Sequence, residues 1–293
     1  MNIVFTKKVL VVLTAFFLSA QITEVNAQQK IDLTEATGDD ASAKFTNRAI
    51  AVWKNMKRTK YALTKDHIID EENGVYKYDG PGFVAEILLK NSLPEHYRDL
   101  MDNKKTIRKA NGKKWNIKRP TVPTFYDYFR NDILKDPNNI SVNNKYWKVF
   151  TTIDSLQRGD LIISKYHNTW RKEQNNNSTG LIWVAWDVEK SNKKNQYIIQ
   201  VLSSSSLGHT SSIDTRQNFD IPLAEEYKGK KSGIGFGKMI FKVGNNERKR
   251  PYAYTWSLTS KYWYNLVKGD KIKEKNGTKY DKLKGIIFAR PIN

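Results

Sequence analysis

The chain predicts an α+β fold, a single domain in which N-terminal helices pack on an antiparallel β-sheet. Two observations carry this. Residues Phe45, Ala49, Val52, Trp53 and Met56 recur at helical spacing early in the chain, whereas short apolar runs bounded by turn residues fill its later part. A third is size: 293 residues, 39% of them hydrophobic, can bury the core of one large domain.

The elements follow in order. Lys7 and Lys8 precede the largely apolar run Val9 to Ala20, and Val25-Asn26-Ala27 offers small residues for cleavage. Residues 1–27 therefore read as a signal peptide, and the protein as exported, periplasmic or secreted. No later segment reads as transmembrane. A polar leader, 28–44, precedes the domain at 45–293. Its first helix ends in Lys57, Arg58 and Lys60. A second begins within Val75-Tyr-Lys-Tyr-Asp-Gly-Pro-Gly-Phe-Val84, where Asp79 serves as N-cap, Pro81 suits the first turn, and Phe83, Val84, Ile87 and Leu88 share a face. Asp99 to Pro123 is polar and loop-rich. Thr124 to Leu134 is a short helix displaying Phe125, Tyr128 and Phe129, and Trp147 to Ile153 is a strand or an entry loop. Arg158-Gly159-Asp160 turns the chain into the strand Leu161–Ser164. Leu181–Trp186, Tyr197–Leu202, Met239–Val243 and Gly285–Ala289 complete five strands. The Lys/Asn-rich stretches Arg171–Ser178 and Lys190–Asn195 read as solvated hairpin connections.

Composition narrows the chemistry. Cysteine is absent, so there are no disulfides and no thiol catalysis. The formal net charge is +20, and removal of residues 1–27 takes away two lysines and one glutamate, lowering it by one. Such a charge favours anionic partners. The lysines are scattered and not arranged in one block, so a general bias toward lysine and asparagine accounts for the charge equally well; of the anionic partners, an envelope polymer or an envelope protein is expected and nucleic acid is not. His67, His96, His167 and His209 lack metal-ligand spacing, and neither a metal nor a cofactor is expected. Gly233-Ile-Gly-Phe-Gly237 lacks the lysine of a phosphate loop and reads as turn or bulge glycines. Tyr252, Tyr254, Trp256, Tyr262, Trp263 and Tyr264 form a late aromatic cluster that either stacks on a ligand or belongs to the core.

Three segments in this order resemble the NlpC-type peptidoglycan endopeptidases, papain-like cysteine peptidases with an Asp-Cys-Ser-Gly-Phe-Val helix start, a Gly-Asp-Leu turn and a Gly-His-Val strand. They are Asp79-Gly-Pro-Gly-Phe-Val84, Leu156-Gln-Arg-Gly-Asp-Leu161 and Thr179-Gly-Leu-Ile-Trp-Val184. Ser203–Ser206 with His209, Asp214, Thr215 and Arg216 is similar to a downstream strand and loop of one branch. The resemblance implies a papain-like fold. It also implies that Gly80 stands at the nucleophile position and Leu181 at the base position, so that catalysis of this type is lost. On the same basis Gly80 should meet Leu181 across the helix–sheet junction with Ser203–Ser206 alongside. The expected activity is binding of peptidoglycan or another anionic envelope ligand by Asp79, Gly80, Trp183, Ser204, His209, Asp214 and Arg216. The helix N-terminus beside Gly80 would offer its N–H groups to an anion. The rival expectation is a hydrolase built on Ser204 to Arg216, although no Gly-x-Ser-x-Gly elbow is present.

Overall fold

In the computed structural model the chain is described at residues 31–63, 66–103, 107–108, 114–115, 118–168, 171, 178–209, 214–216, 232–245, 247–266 and 279–293. Residues 1–27, read above as a signal peptide, lie outside these, as does most of the Arg171–Ser178 stretch. Thr34–Asn293 forms one compact unit, separate from Met1–Leu33, in which only residues 31–33 are described.

Helix α1, Ala41–Asn55, starts four residues before the first periodic apolar residue because Asp40 caps it, accepting from the Ala43 N–H at 2.8 Å. Its buried face includes Phe45, Ala49, Ile50 and Val52. Three short strands follow: β1 (Arg58–Lys60), β2 (Ile68–Asp70) and β3 (Val75–Lys77), paired in the order β1-β3-β2. Helix α2 is continuous, running through Gly80–Gly82, a π-type stretch Phe83–Leu89 and a last turn Lys90–Ser92. Phe83, Val84, Ala85, Ile87, Leu88 and Leu89 are all buried, so the wider π turns are covered almost all round. Helix α3 is Pro94–Asp102. The polar region beyond it contains the small pair β4 (Ile107–Arg108) and β5 (Lys114–Trp115). Helix α4, Val122–Asp127, continues as a π-type Tyr128–Leu134.

The remaining strands are β6 (Ser141–Asn143), β7 (Trp147–Phe150), β8 (Leu161–Tyr166), β9 (Gly180–Lys190), β10 (Gln196–Ser205), β11 (Gly233–Val243), β12 (Pro251–Thr255), β13 (Trp263–Leu266) and β14 (Lys279–Pro291). They pair in the order β13-β12-β11-β10-β9-β8-β14-β7-β6, and β13 pairs with β14 as well. That last, parallel contact closes β8 to β14 into a seven-stranded barrel, with β7 and β6 extending from β14. The expected α+β, papain-like arrangement is thereby overturned: the protein is mainly β, a closed barrel with four short helices. The physical reason lies in the late aromatic cluster. Tyr252 to Thr255 and Trp263 to Leu266 are strands, and these two carry the sheet from β11 round to β14. Without them the five expected strands make an open sheet.

Alternation along each strand sorts side chains into barrel interior and exterior. Ile162 and Tyr166 of β8, Trp183 and Ala185 of β9, Tyr197, Ile199 and Val201 of β10, and Met239, Phe241 and Val243 of β11 join one buried core. Tyr254, Leu283 and Phe288 belong to it too, and Leu181 packs against it. A register shift between Gln200 and Val201 lets β9 continue inward at Val188. Outside, Phe236 meets Trp53 of α1 edge-on at 4.9 Å and Trp186 of β9 at the same distance. Both faces of β9 are therefore covered here, which explains why Leu181 to Trp186 reads as an unbroken apolar run.

The Arg158-Gly159-Asp160 turn is structural, as its sequence suggests. Gly159 has φ +87° and lies against Thr46 of α1, where a Cβ would collide with the Thr46 hydroxyl. Asp160 is fully buried, accepts from the Gln157 N–H at 2.7 Å, and takes two bonds from the Arg290 guanidinium at 2.7 and 2.8 Å.

Candidate functional site

Gly80 is the first residue of α2 and is buried. A Cβ placed on it would lie 3.0 Å from the Ser204 carbonyl and 3.5 Å from that of Ile182. The ladder between β9 and β10 ends at Val184–Leu202, so the helix start enters where the two strands part. Gly80 thus meets Ser204 and Ile182, not the expected Leu181. Leu181 itself packs against the barrel interior, while its neighbour Ile182 turns outward to Gly80.

The expected anion site at this helix start is already filled. Asp79 caps the helix, its Oδ1 accepting from the Gly82 N–H at 2.8 Å. Its Oδ2 takes a 2.6 Å bond from Arg119. The carboxylate supplies the negative charge that the helix dipole favours. Arg119 in turn lies over the Tyr78 ring, 5.9 Å from its centroid, and His67 stacks on Tyr78 at 3.9 Å. Burial lowers the His67 pKa, and burial with Asp79 nearby raises that of Tyr61 to about 12. Sequence reasoning missed Arg119, Tyr78, Tyr61 and His67 as neighbours of Asp79. Arg119 is 40 residues away, and nothing in its local pattern points to Asp79.

The other sequence-predicted residues are brought close but not as a triad. The Ser204 hydroxyl donates to the Tyr78 carbonyl at 2.6 Å. His209, fully buried, donates from Nδ1 to the Trp256 carbonyl at 2.6 Å and stacks on the Trp256 indole, centroids 4.4 Å apart. Asp214 accepts from the main-chain N–H groups of His209 and Arg216 and pairs with the Arg216 guanidinium at 3.2 Å. Arg216, 1% exposed, also donates to the Ser203 carbonyl at 3.0 Å, the Ser203 hydroxyl at 2.8 Å and the Gly233 carbonyl at 3.0 Å. Trp183, 1% exposed, packs edge-on against Tyr254 at 5.3 Å inside the barrel and lines no groove.

Alternation explains the Gly-x-Gly-x-Gly run. Gly233, Gly235 and Gly237 belong to β11, and Gly235 and Gly237 fall on the same inward face as Met239 and Phe241. A Cβ on Gly235 would lie 3.0 Å from the Arg216 backbone N, and one on Gly237 only 2.7 Å from the His209 Cβ and closer still to its ring. The glycines are neither turn residues nor a phosphate loop. Gly235 and Gly237 make room for a polar plug of His209, Asp214 and Arg216 in one end of the barrel, whereas Gly233, at φ +94°, lies against Thr59 and Lys60 of β1. The imidazole in that plug is held neutral: burial first, then the Arg216 charge, lowers its pKa to about 3.

The opposite end carries the cleft with the clearest chemical character. Its floor is Tyr197 and Val243, and its walls come from the β9–β10 connection and Lys249, enclosing about 320 Å³. Lys190, Lys193, Lys194 and Lys249 line it together with Asn192 and Gln196, and no carboxylate does. Asp154 stands behind the floor, where its carboxylate accepts from the Tyr197 hydroxyl; burial and that carboxylate raise the phenol to about 12. Among the described ion pairs none engages the four lysines. In sequence Lys190–Asn195 reads only as a solvated connection. The signal available in the sequence is three lysines, Lys190, Lys193 and Lys194, with no acid up to Gln196, but Lys249 joins only through the fold.

No protein-family model, curated protein or solved structure matches the chain. Among the described residues no cluster of three or more His, Asp or Glu is placed to hold a metal ion. Nor is any described helix long and apolar enough to cross a membrane, a statement that does not extend to strands.

Proposed function

We propose that this protein is a non-catalytic binder of an anionic cell-envelope ligand, peptidoglycan or another polyanionic polymer, acting after export. One observation carries the reading: polar groups suited to chemistry are turned inward and consumed, while cations suited to binding are turned out. Ser204, His209, Asp214 and Arg216 are buried and bonded to main-chain or plug partners. Gly80 supplies no nucleophile, Leu181 no base, and the chain has no cysteine. The hydrolase alternative needs the Ser204 hydroxyl to donate to the His209 ring, but it donates its one proton to the Tyr78 carbonyl instead. What remains for solvent is a surface with a large positive excess.

The test is retention of the exported protein on purified sacculi, with analysis of the released muropeptides. Binding at low salt and elution near 1 M salt, where the screening length falls to about 3 Å, are expected, without cleaved stem peptides. Peptide release that survives repurification, or retention indifferent to salt, overturns the reading.

A further inference from the structure

We propose that the lysine-lined cleft at the β9–β10 end of the barrel is the ligand site, and that it takes one acidic sugar unit of a polyanionic glycan. This rests on the binding reading above and gives it a place and a chemistry. The cleft's volume, about 320 Å³, sits at the lower end of ligand pockets, which run from about 300 to 1,000 Å³. It therefore holds a monomer or so of a polymer, not a folded partner. Its charge is concentrated: Lys190, Lys193, Lys194 and Lys249 meet at one opening with no lining carboxylate. Arg248 and Glu247 flank Lys249 in sequence and are exposed, but neither lines the cleft.

The kind of cation matters. Arginine presents a planar fork matched to a two-point partner, whereas a lysine ammonium is a point charge on a flexible stem. Four lysines thus accept either a carboxylate or a phosphate on the sugar. Asn192 and Gln196 add side-chain amides that can both donate to and accept from hydroxyls. A bare polyanion leaves those amides unused, and a neutral sugar leaves the lysines unused. The walls are also positioned. Asn195 adopts φ +59° and Lys249 φ +43°, the Val243 N–H donates to the Asn195 carbonyl at 3.0 Å, and the Ile153 N–H donates to the Lys249 carbonyl at 3.3 Å. The backbone bonds tie both walls to the barrel end.

The experiment titrates the full chain, near physiological ionic strength, with three probes: a galacturonate oligomer, inorganic polyphosphate and a neutral dextran oligomer. Two triple variants are compared, Lys193→Gln/Lys194→Gln/Lys249→Gln in the cleft and Lys57→Gln/Lys118→Gln/Lys261→Gln elsewhere. They change the net charge equally. Galacturonate should bind more tightly than polyphosphate per charge, and dextran should not bind. The cleft triple should lose about tenfold in galacturonate affinity and the control triple less than about twofold. Equal losses in the two triples overturn the cleft and leave the polyanion reading standing. Polyphosphate binding more tightly than galacturonate overturns the sugar assignment. No binding of either polyanion overturns both readings. Because Lys193 and Lys194 are exposed, both triples should melt within a few degrees of the parent, and a folded cleft triple that still binds fully counts against the proposal.

Discussion

The His209 imidazole makes stability depend on pH in a way that can be worked out in advance. In the folded protein its Nδ1 donates to the Trp256 carbonyl, its ring lies flat on the Trp256 indole, and Arg216 stands beside it. Nε2 has no hydrogen-bond partner among the described residues. A second proton would put charge in a fully buried site next to a guanidinium, so burial and then Arg216 lower the pKa to about 3. In the unfolded chain the ring titrates near its ordinary value, about 6.5. Between those values the unfolded state binds the proton and the folded state does not, so stability is fully present above pH 6.5 and falls as the pH drops through this window. The slope approaches about 1.4 kcal/mol per pH unit once the unfolded imidazole is protonated, and it is half that at pH 6.5, so going from pH 6.5 to 4.5 removes about 2.3 kcal/mol through this residue alone. His209→Asn keeps a donor near the Nδ1 position and cannot titrate. It loses the stacked ring, so it should be less stable at pH 6.5, but its loss on acidification should be smaller than the parent's by about 2–3 kcal/mol. Urea unfolding of both proteins at pH 6.5 and 4.5, at one ionic strength, measures this. Carboxylates and the other histidines titrate in both and cancel in the difference. Equal losses in the two proteins, within about 0.5 kcal/mol, would refute the buried neutral imidazole.

Three further substitutions probe the frame. Gly237→Ala puts a methyl group against the His209 ring and should cost about 1–3 kcal/mol by urea unfolding, with little effect if the plug sits elsewhere. Arg290→Ala strands the buried Asp160 carboxylate and should cost about 3–5 kcal/mol. Glu95→Ala, which breaks the exposed Arg98 pair, should change stability by under about 1 kcal/mol.

How much of this the sequence discloses depends on whether a feature is local. The α1 periodicity, the Asp79 cap, the turn at Gly159 and the strands at Leu161, Leu181, Tyr197, Met239 and Gly285 are local patterns, and each appears in the fold. Barrel closure is not local. It depends on a parallel pairing of Trp263–Leu266 with β14, and no spacing within either segment announces a partner. The aromatic cluster misleads for the same reason: Tyr254 and Tyr264 face each other at 5.0 Å as strand neighbours, whereas their density in sequence resembles a ligand platform. The glycines at 235 and 237 look like loop residues until Arg216 and His209 are seen to need their inner face. At the proposed site the Lys190–Asn195 connection is visible in sequence, but Lys249 arrives from beyond β11.

The filling of the barrel limits where any ligand can go. One end is stopped by the plug, whose Arg216 is bound to Ser203 and Gly233 and whose His209 is bound to Trp256. At the other end Ile153 and Leu156 join the core, and the Tyr197–Asp154 bond holds the turn at Ile153–Ser155 against β10. Between them Trp183, Tyr254, Phe241 and Met239 pack at full burial. Such an interior has the density of a core and not the lumen of a pore. Opening it would separate aromatic contacts and break the plug's charged hydrogen bonds, a cost that a modest surface ligand does not repay. A ligand would therefore meet only the rims and the outer face. On the outer face α1 and α2 already cover the strands, at Phe236 and at Gly80. The Asn192-tipped end remains, where the described chain leaves lysines, amides and a cleft together.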